Sequence, residues 1–171
     1  MKNACVLFLM ICAISCNQQK TEKEMYAEAE SLYDSENDSL CIIKLDELIQ
    51  QYPSHTDAIY LRAFAKHRSG KLAEAIEDYN LYIQLNSKDE EAYYFRAVAK
   101  YHVMDSSALE DYNKVISLNP QYGEAYNNRA MIYLERNENE KACLDLKTAL
   151  ELGIKVADSA YEKYCQLESI Q

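Results

Sequence analysis

Apolar positions along the chain form one continuous run followed by a long series of spaced stripes. The run extends from Ala4 to Ile14, behind the lone positive charge of Lys2. Its length is about eleven residues, short of the ~20 that a membrane helix needs. It matches the hydrophobic region of a secretory signal. Downstream, uncharged apolar runs are only a few residues long, so the pattern predicts no second span. From there on, apolar residues recur every three or four positions, the period of amphipathic helices. One such stretch runs from Leu40 to Tyr52, ahead of Pro53. The last stripe is Val156, Ala157, Ala160, Tyr161, Tyr164 and Leu167, beyond Gly153, which suits a helix C-cap.

Between these ends the pattern repeats. Asp57-Ala58-Ile59-Tyr60-Leu61-Arg62-Ala63 aligns with Glu91-Ala92-Tyr93-Tyr94-Phe95-Arg96-Ala97 and with Glu124-Ala125-Tyr126-Asn127-Asn128-Arg129-Ala130. Each is followed by a second matching segment, beginning at Ala75, Ala108 and Ala142. The period is near 34, and the one-residue deletion falls between Ala97 and Ala108, in a turn, where it costs least. With 3 Gly and 2 Pro in 171 residues, a turn-rich sandwich or barrel is excluded and helices are predicted. The 15 Tyr against no Trp follow largely from reuse of the same helix positions.

These segments resemble the tetratricopeptide repeat family. Small residues stand where paired helices cross, at Ala63, Ala97 and Ala130 and at Ala75, Ala108 and Ala142. Leu118-Asn119-Pro120 matches the family's repeat end, while Leu85-Asn86-Ser87 lacks the proline. The family's Gly at the close crossing is Ala in all three copies, and its Tyr late in the first helix is kept at Tyr133 but is Lys66 and Lys100 elsewhere. The resemblance implies an all-α, right-handed α-α superhelix (solenoid) of about four helical hairpins and a C-terminal capping helix. The expected division is a signal at 1–15, an anchor and tether at 16–23, a degenerate repeat at 24–55, repeats at 56–89, 90–122 and 123–154, and the capping helix at 155–171. In the degenerate repeat Cys41, Leu45 and Leu48 are expected on the inner face of the second helix, with Ala29 and Leu32 on the first. Tyr161, Tyr164 and Leu167 are expected to pack on Leu146, Ala149 and Leu150.

Ala13-Ile14-Ser15-Cys16 resembles a bacterial lipobox, which implies cleavage before Cys16 and its acylation with palmitate-type chains. The expected location is the bacterial cell envelope, lipid-anchored, at the outer membrane. The alternative is a cleaved secretory peptide that frees a soluble domain. Cys5 and Cys12 would leave with the signal, and Cys41, Cys143 and Cys165 would remain. They show no CxxC and no metal spacing, so a disulfide framework is not expected. Cys143 and Cys165 meet only if the last helix folds back.

The net charge of −10 argues against nucleic acid, whose binding rests on Lys and Arg. It favours a partner with a basic surface. The three histidines, His55, His67 and His102, form no nucleophile or metal constellation, so no enzyme, metal or cofactor is expected. Arg62, Arg96 and Arg129 recur on the first helices, and Asp78, Asp111 and Asp145 on the second. A ladder of Arg–Asp pairs is expected, the alternative being arginines that bind a partner's carboxylates. The concave face of the implied solenoid would carry Tyr60, Phe64, His67, Tyr94, Val98, Tyr101, Asn127, Met131 and Leu134, with Asp57, Glu91 and Glu124 at its edge. An aromatic and apolar strip of this kind suits a protein or peptide partner. The basic clamp that some family members use on a C-terminal carboxylate is not reproduced. The function expected is a non-enzymatic, membrane-anchored scaffold. Alternatives are an accessory subunit of an outer-membrane assembly or transport complex, and a small-ligand or glycan-binding lipoprotein.

Overall fold

Helix ends are written into the sequence by side chains that satisfy the first free amides. Thr21 accepts from the Glu24 amide while the Glu24 carboxylate accepts from the Thr21 amide, a reciprocal capping box that starts α1, Glu22–Asp34. Asn37 caps α2, Asp38–Gln51. His55 caps α3, Thr56–Arg68, with Nδ1 accepting from the Ala58 amide at 3.2 Å. Asp89 accepts from two amides at the start of α5, Glu90–His102. The other helices are α4, Leu72–Leu85; α6, Ala108–Leu118; α7, Gly123–Glu135; α8, Asn139–Glu151; and α9, Ala157–Cys165. The computed structural model describes residues 20–165. Cys16 and the segment before it, and Leu167, lie outside the described residues.

Helix stops are equally local. Pro53 and Pro120 stand just after the ends of α2 and α6, because a proline excludes helical geometry from the residue before it. Inside each hairpin the turn uses one left-handed residue at the same place: Glu36, Gly70, Met104 and Asn137, with φ between 58° and 78°. Gly153, at φ 90°, serves the same role after α8.

Among the described residues the helices pack chiefly on their neighbours in sequence, α1 on α2, α2 on α3 and so on to α8 on α9. That is the contact pattern of a solenoid, in which each unit buries its apolar face only against the next. The fold is an α-α superhelix of four hairpins and a last helix. Ala63, Ala97, Ala130, Ala75, Ala108 and Ala142 are all buried, letting the backbones approach where the helices cross. Leu45, Tyr79, Tyr112 and Leu146 occupy one repeated position on α2, α4, α6 and α8, and all four are buried. Cys41, Leu48 and Ala29 are buried in the first hairpin and Leu32 is partly so.

The last helix departs from the expected packing. Ala157, Ala160, Tyr161 and Cys165 pack on Leu146, Ala149 and Leu150. Val156 precedes the helix and is exposed, and Tyr164 is 39% exposed. The packed face of α9 runs through Ala157, Ala160, Tyr161 and Cys165, so Tyr164 lies at its margin and Val156 outside the helix.

Candidate partner-binding groove

Each repeated arginine is consumed inside the scaffold. Arg62 donates from Nε and Nη2 to both carboxylate oxygens of Asp78, at 2.8 and 2.6 Å. Arg96 does the same to Asp111, at 2.8 and 2.6 Å, and Arg129 to Asp145, at 2.7 and 2.7 Å. The third donor, Nη1, reaches back to the preceding hairpin: Arg62 to Asp46, Arg96 to Asn80 and Arg129 to Asn113, each at 2.7 Å. One guanidinium thus ties three helices, a use of the planar fork that lysine cannot copy. Burial alone would depress the Arg62 and Arg129 guanidinium groups, but the bonds to Asp78 and Asp145 carry both above the usual arginine range. Lys66 and Lys100 add a second cation, with Nζ at 2.9 Å from Asp78 and 2.8 Å from Asp111. The fourth hairpin has Tyr133 at that place, so among the described residues Asp145 is paired with Arg129 alone. The sequence pattern pointed to the arginines but not to the lysines, although Arg62 and Lys66 are an i, i+4 pair on one helical face.

The nine groove positions are all half-buried, and they differ in how far they are free. Tyr60 stacks on Tyr82, ring centroids 4.5 Å apart, and meets Phe64 edge-on at 4.9 Å. Phe64 packs on Phe95 at 4.4 Å. His67 is turned into the same seam, 6.4 Å from both Tyr79 and Phe95, and burial lowers its pKa. Its Nδ1 and the Tyr79 hydroxyl are buried without a partner among the described residues. His67 therefore serves the seam between α3, α4 and α5 more than the open face.

Phe95 is the residue that the sequence reading passed over. It fills the seam between the second and third hairpins, where it also meets Tyr94 at 5.3 Å. At the matching place in the next hairpin stands Asn128. Its amide donates to the Tyr94 hydroxyl at 3.1 Å and accepts from Asn127 at 3.2 Å. The seam there encloses a cavity of about 180 Å³ lined by Val98, Tyr101, His102, Tyr112, Asn128 and Met131. Two further cavities, about 420 and 550 Å³, adjoin it and share Tyr101. Tyr101 donates its hydroxyl to Glu135, and that bond and then burial push its pKa up to about 12. At the other end a cavity of about 330 Å³ lies against Tyr26, Tyr33, Asp57, Tyr60, Leu61 and Phe64. Val98, Met131 and Leu134 line the C-terminal cavities.

The acidic edge carries Asp57, Glu91 and Glu124, all exposed. Tyr60 approaches Glu91 at 3.5 Å. Among the described residues none of the three carboxylates makes an ion pair, and neither does Glu135. The described residues hold no group of His, Cys, Asp and Glu placed to bind a metal, and no helix long and apolar enough to cross a membrane. Cys143 on α8 and Cys165 at the end of α9 form a disulfide, the pairing that the folded-back helix permits. Cys41 is free and buried.

Residues 56–89 and 111–143 each match a family model described as tetratricopeptide repeat. The second match starts in α6 and ends in α8, so it is shifted by half a hairpin from the first. No curated protein matches the chain. Among solved structures, a crystal structure of MamA is 22% identical with a TM-score of 0.75, covering 81% of this chain and 81% of its own. A tetratricopeptide repeat protein from Parabacteroides merdae ATCC 43184 is 20% identical with a TM-score of 0.76, covering 84% of this chain and 59% of its own. The first tetratricopeptide domain of Spaghetti, bound to an HSP90 peptide, is 23% identical with a TM-score of 0.62, covering 67% and 93%. These likenesses show the fold, and the matches are to repeat modules rather than to an enzyme family. The described chain is a tetratricopeptide-type solenoid, two stretches of which are tetratricopeptide repeats by sequence.

Proposed function

We propose that the chain is a non-enzymatic adaptor of the bacterial cell envelope, lipid-anchored through Cys16, that holds a protein or peptide partner on its concave face. A tetratricopeptide solenoid supports an interaction role. The observation that carries the groove reading is the convergence of half-buried Tyr60, Phe64, Tyr94, Val98, Tyr101 and Met131 on one face whose rim carboxylates have no cation. Aromatic and methionine side chains supply contact area, and unpaired carboxylates at the rim select a basic partner. The alternative use of Arg62, Arg96 and Arg129 as carboxylate binders has little support, since all three nitrogens of each guanidinium already donate within the fold.

The Spaghetti domain gives a precedent for peptide capture by this fold. The acidic rim here disfavours a peptide as acidic as that one, SRMEEVD. The anchor rests on the lipobox-like Ala13-Ile14-Ser15-Cys16, and the Cys143–Cys165 bond suits an oxidising compartment. With Lys2 removed, 28 acidic residues face 17 basic ones, a charge that discourages close contact with anionic lipid.

A photocrosslinker at Tyr94, compared with one at exposed Glu77, tests the groove in native membranes. A protein captured from position 94 and not from 77 is expected. Equal capture from both positions would refute groove binding. Fractionation of a Cys16→Ala variant tests the anchor separately, and retention in the membrane fraction would remove it.

A further inference from the structure

The groove is not uniform along its length. In the seam between the second and third hairpins, Phe95 packs against Phe64, His67 and Tyr94. One hairpin later Asn128 takes that place, and a cavity of about 180 Å³ opens beside Val98, Tyr112 and Met131. Tyr101 is a wall of this cavity and of its two neighbours, so the three cluster around its ring as a cleft toward the C-terminal end of the fold. The middle cavity, about 420 Å³, also has Tyr164 in its wall. Tyr164 comes from α9 and is adjacent to Cys165, which is bonded to Cys143. The rest of α9 packs on α8 through Ala157, Ala160 and Tyr161, which leaves Tyr164 turned out to this cleft.

We propose that an apolar anchor side chain of a basic peptide segment seats in the cleft around Tyr101, and that the Cys143–Cys165 bond completes that cleft by holding Tyr164 in its wall. The proposal rests on the groove reading above and says where along the groove the partner is gripped. The anchor is apolar because Val98, Met131, Leu134 and two tyrosine rings face it. Its flanks are basic because Glu135 borders the cleft and Asp57, Glu91 and Glu124 follow along the rim, all four without a cation among the described residues. Burying one such side chain is worth ~1.5–3 kcal/mol, about ten- to hundredfold in affinity.

Fluorescence anisotropy on the full chain tests this with labelled Gly-Ser peptides that carry one Leu, Met or Phe flanked by Lys, and with the same peptides flanked by Glu. The oxidised chain is expected to prefer the Lys-flanked set. Asn128→Phe, which puts in this seam the side chain that Phe95 supplies in the previous one, is expected to lower affinity about tenfold or more, while Asn128→Ala keeps it. Tyr164→Ala, Cys165→Ser and reduction of the parent chain are each expected to weaken binding several-fold. Because Tyr164 is at the surface, its variant reads the cleft even if Asn128→Phe disturbs folding. Binding that survives Asn128→Phe but is lost in Tyr94→Ala would overturn the cleft and leave the groove reading standing. Unchanged affinity in Tyr164→Ala and on reduction would overturn the role of α9. Preference for Glu flanks would overturn the basic segment. Failure of every peptide, together with no partner crosslinked at Tyr94, would remove both readings.

Discussion

The same substitution, arginine to alanine, is expected to cost different amounts in successive hairpins. Arg62, Arg96 and Arg129 make near-identical bidentate bonds to Asp78, Asp111 and Asp145, which are 4%, 4% and 3% exposed. In Arg62→Ala, Lys66 remains 2.9 Å from Asp78, and in Arg96→Ala, Lys100 remains 2.8 Å from Asp111. The carboxylate keeps a cation, and the loss is mainly that of charge-assisted hydrogen bonds, about 1.5–3 kcal/mol. In Arg129→Ala, Asp145 keeps no cation among the described residues. A buried charge stripped of its partner costs ~3–5 kcal/mol. The aliphatic stem is lost equally in all three variants and cancels in the comparison. The gap between Arg129→Ala and the other two is therefore about 2 kcal/mol.

Urea unfolding gives the ranking from the shift in midpoint. A solenoid opens unit by unit, so amide exchange over α7 and α8 is the sharper readout, since it reports the stability of the hairpin that holds Asp145. A further variant closes the test. Tyr133 occupies the place of Lys66 and Lys100, so Tyr133→Lys in the Arg129→Ala background is expected to recover about half of the loss. Three equal destabilisations, or no recovery from Tyr133→Lys, would show that the second cation does not set the cost.

Other expectations concern single groups. Tyr79→Phe removes a buried hydroxyl that has no partner among the described residues, and is expected to raise stability by about 1 kcal/mol in urea unfolding. Glu36→Gly relieves a left-handed residue in an exposed turn and is expected to stabilise by about 1 kcal/mol, whereas Asn137→Gly changes little, because asparagine already tolerates that conformation. Gly123→Ala is expected to destabilise by ~1–3 kcal/mol, because a Cβ there would lie 2.6 Å from Ile154 and 3.1 Å from the Leu152 Cβ. Burial and the bond to Asp89 push Tyr82 up to about 12, and the Glu135 bond does the same for Tyr101. The unfolded chain releases these protons near pH 10 and the folded chain holds them, so this stability is intact below pH 10 and falls as pH rises toward 12. Tyrosinate absorbance is expected to rise together with loss of helical circular dichroism, and independent titration before unfolding would contradict it.

Why some features were legible in the sequence and others were not follows from what repeats. Ala63, Ala97 and Ala130, and the Arg and Asp positions, are the same in each copy because the same helix crossing must be made each time. Alignment of three segments was enough to place them. The lysines were read against a family pattern as departures, and their partner became visible only once α3 and α4, or α5 and α6, lay side by side. The disulfide required the direction of α9, which depends on the turn at Gly153 and not on the apolar stripe. Val156 falls outside α9, and the packed face of that helix turns toward Cys165 rather than Tyr164.

The groove shows the opposite behaviour, and that contrast carries the functional reading. At one position the three aligned copies have Tyr60, Tyr94 and Asn127; at another Phe64, Val98 and Met131; at a third His67, Tyr101 and Leu134. Helix packing asks for one answer at each of these positions, as it does at the alanines. A series that runs from rings to smaller or polar side chains instead grades the surface. In the N-terminal half the rings close on one another, Tyr60 on Tyr82 and Phe64 on Phe95, and His67 is drawn into the seam with them. Toward the C-terminus the rings thin out, Asn128 replaces Phe95, and space opens around Tyr101. The scaffold is therefore built from what the copies share, and the proposed recognition surface from what they do not. A partner gripped at the C-terminal end would lie against α9, the helix held there by its own covalent bond.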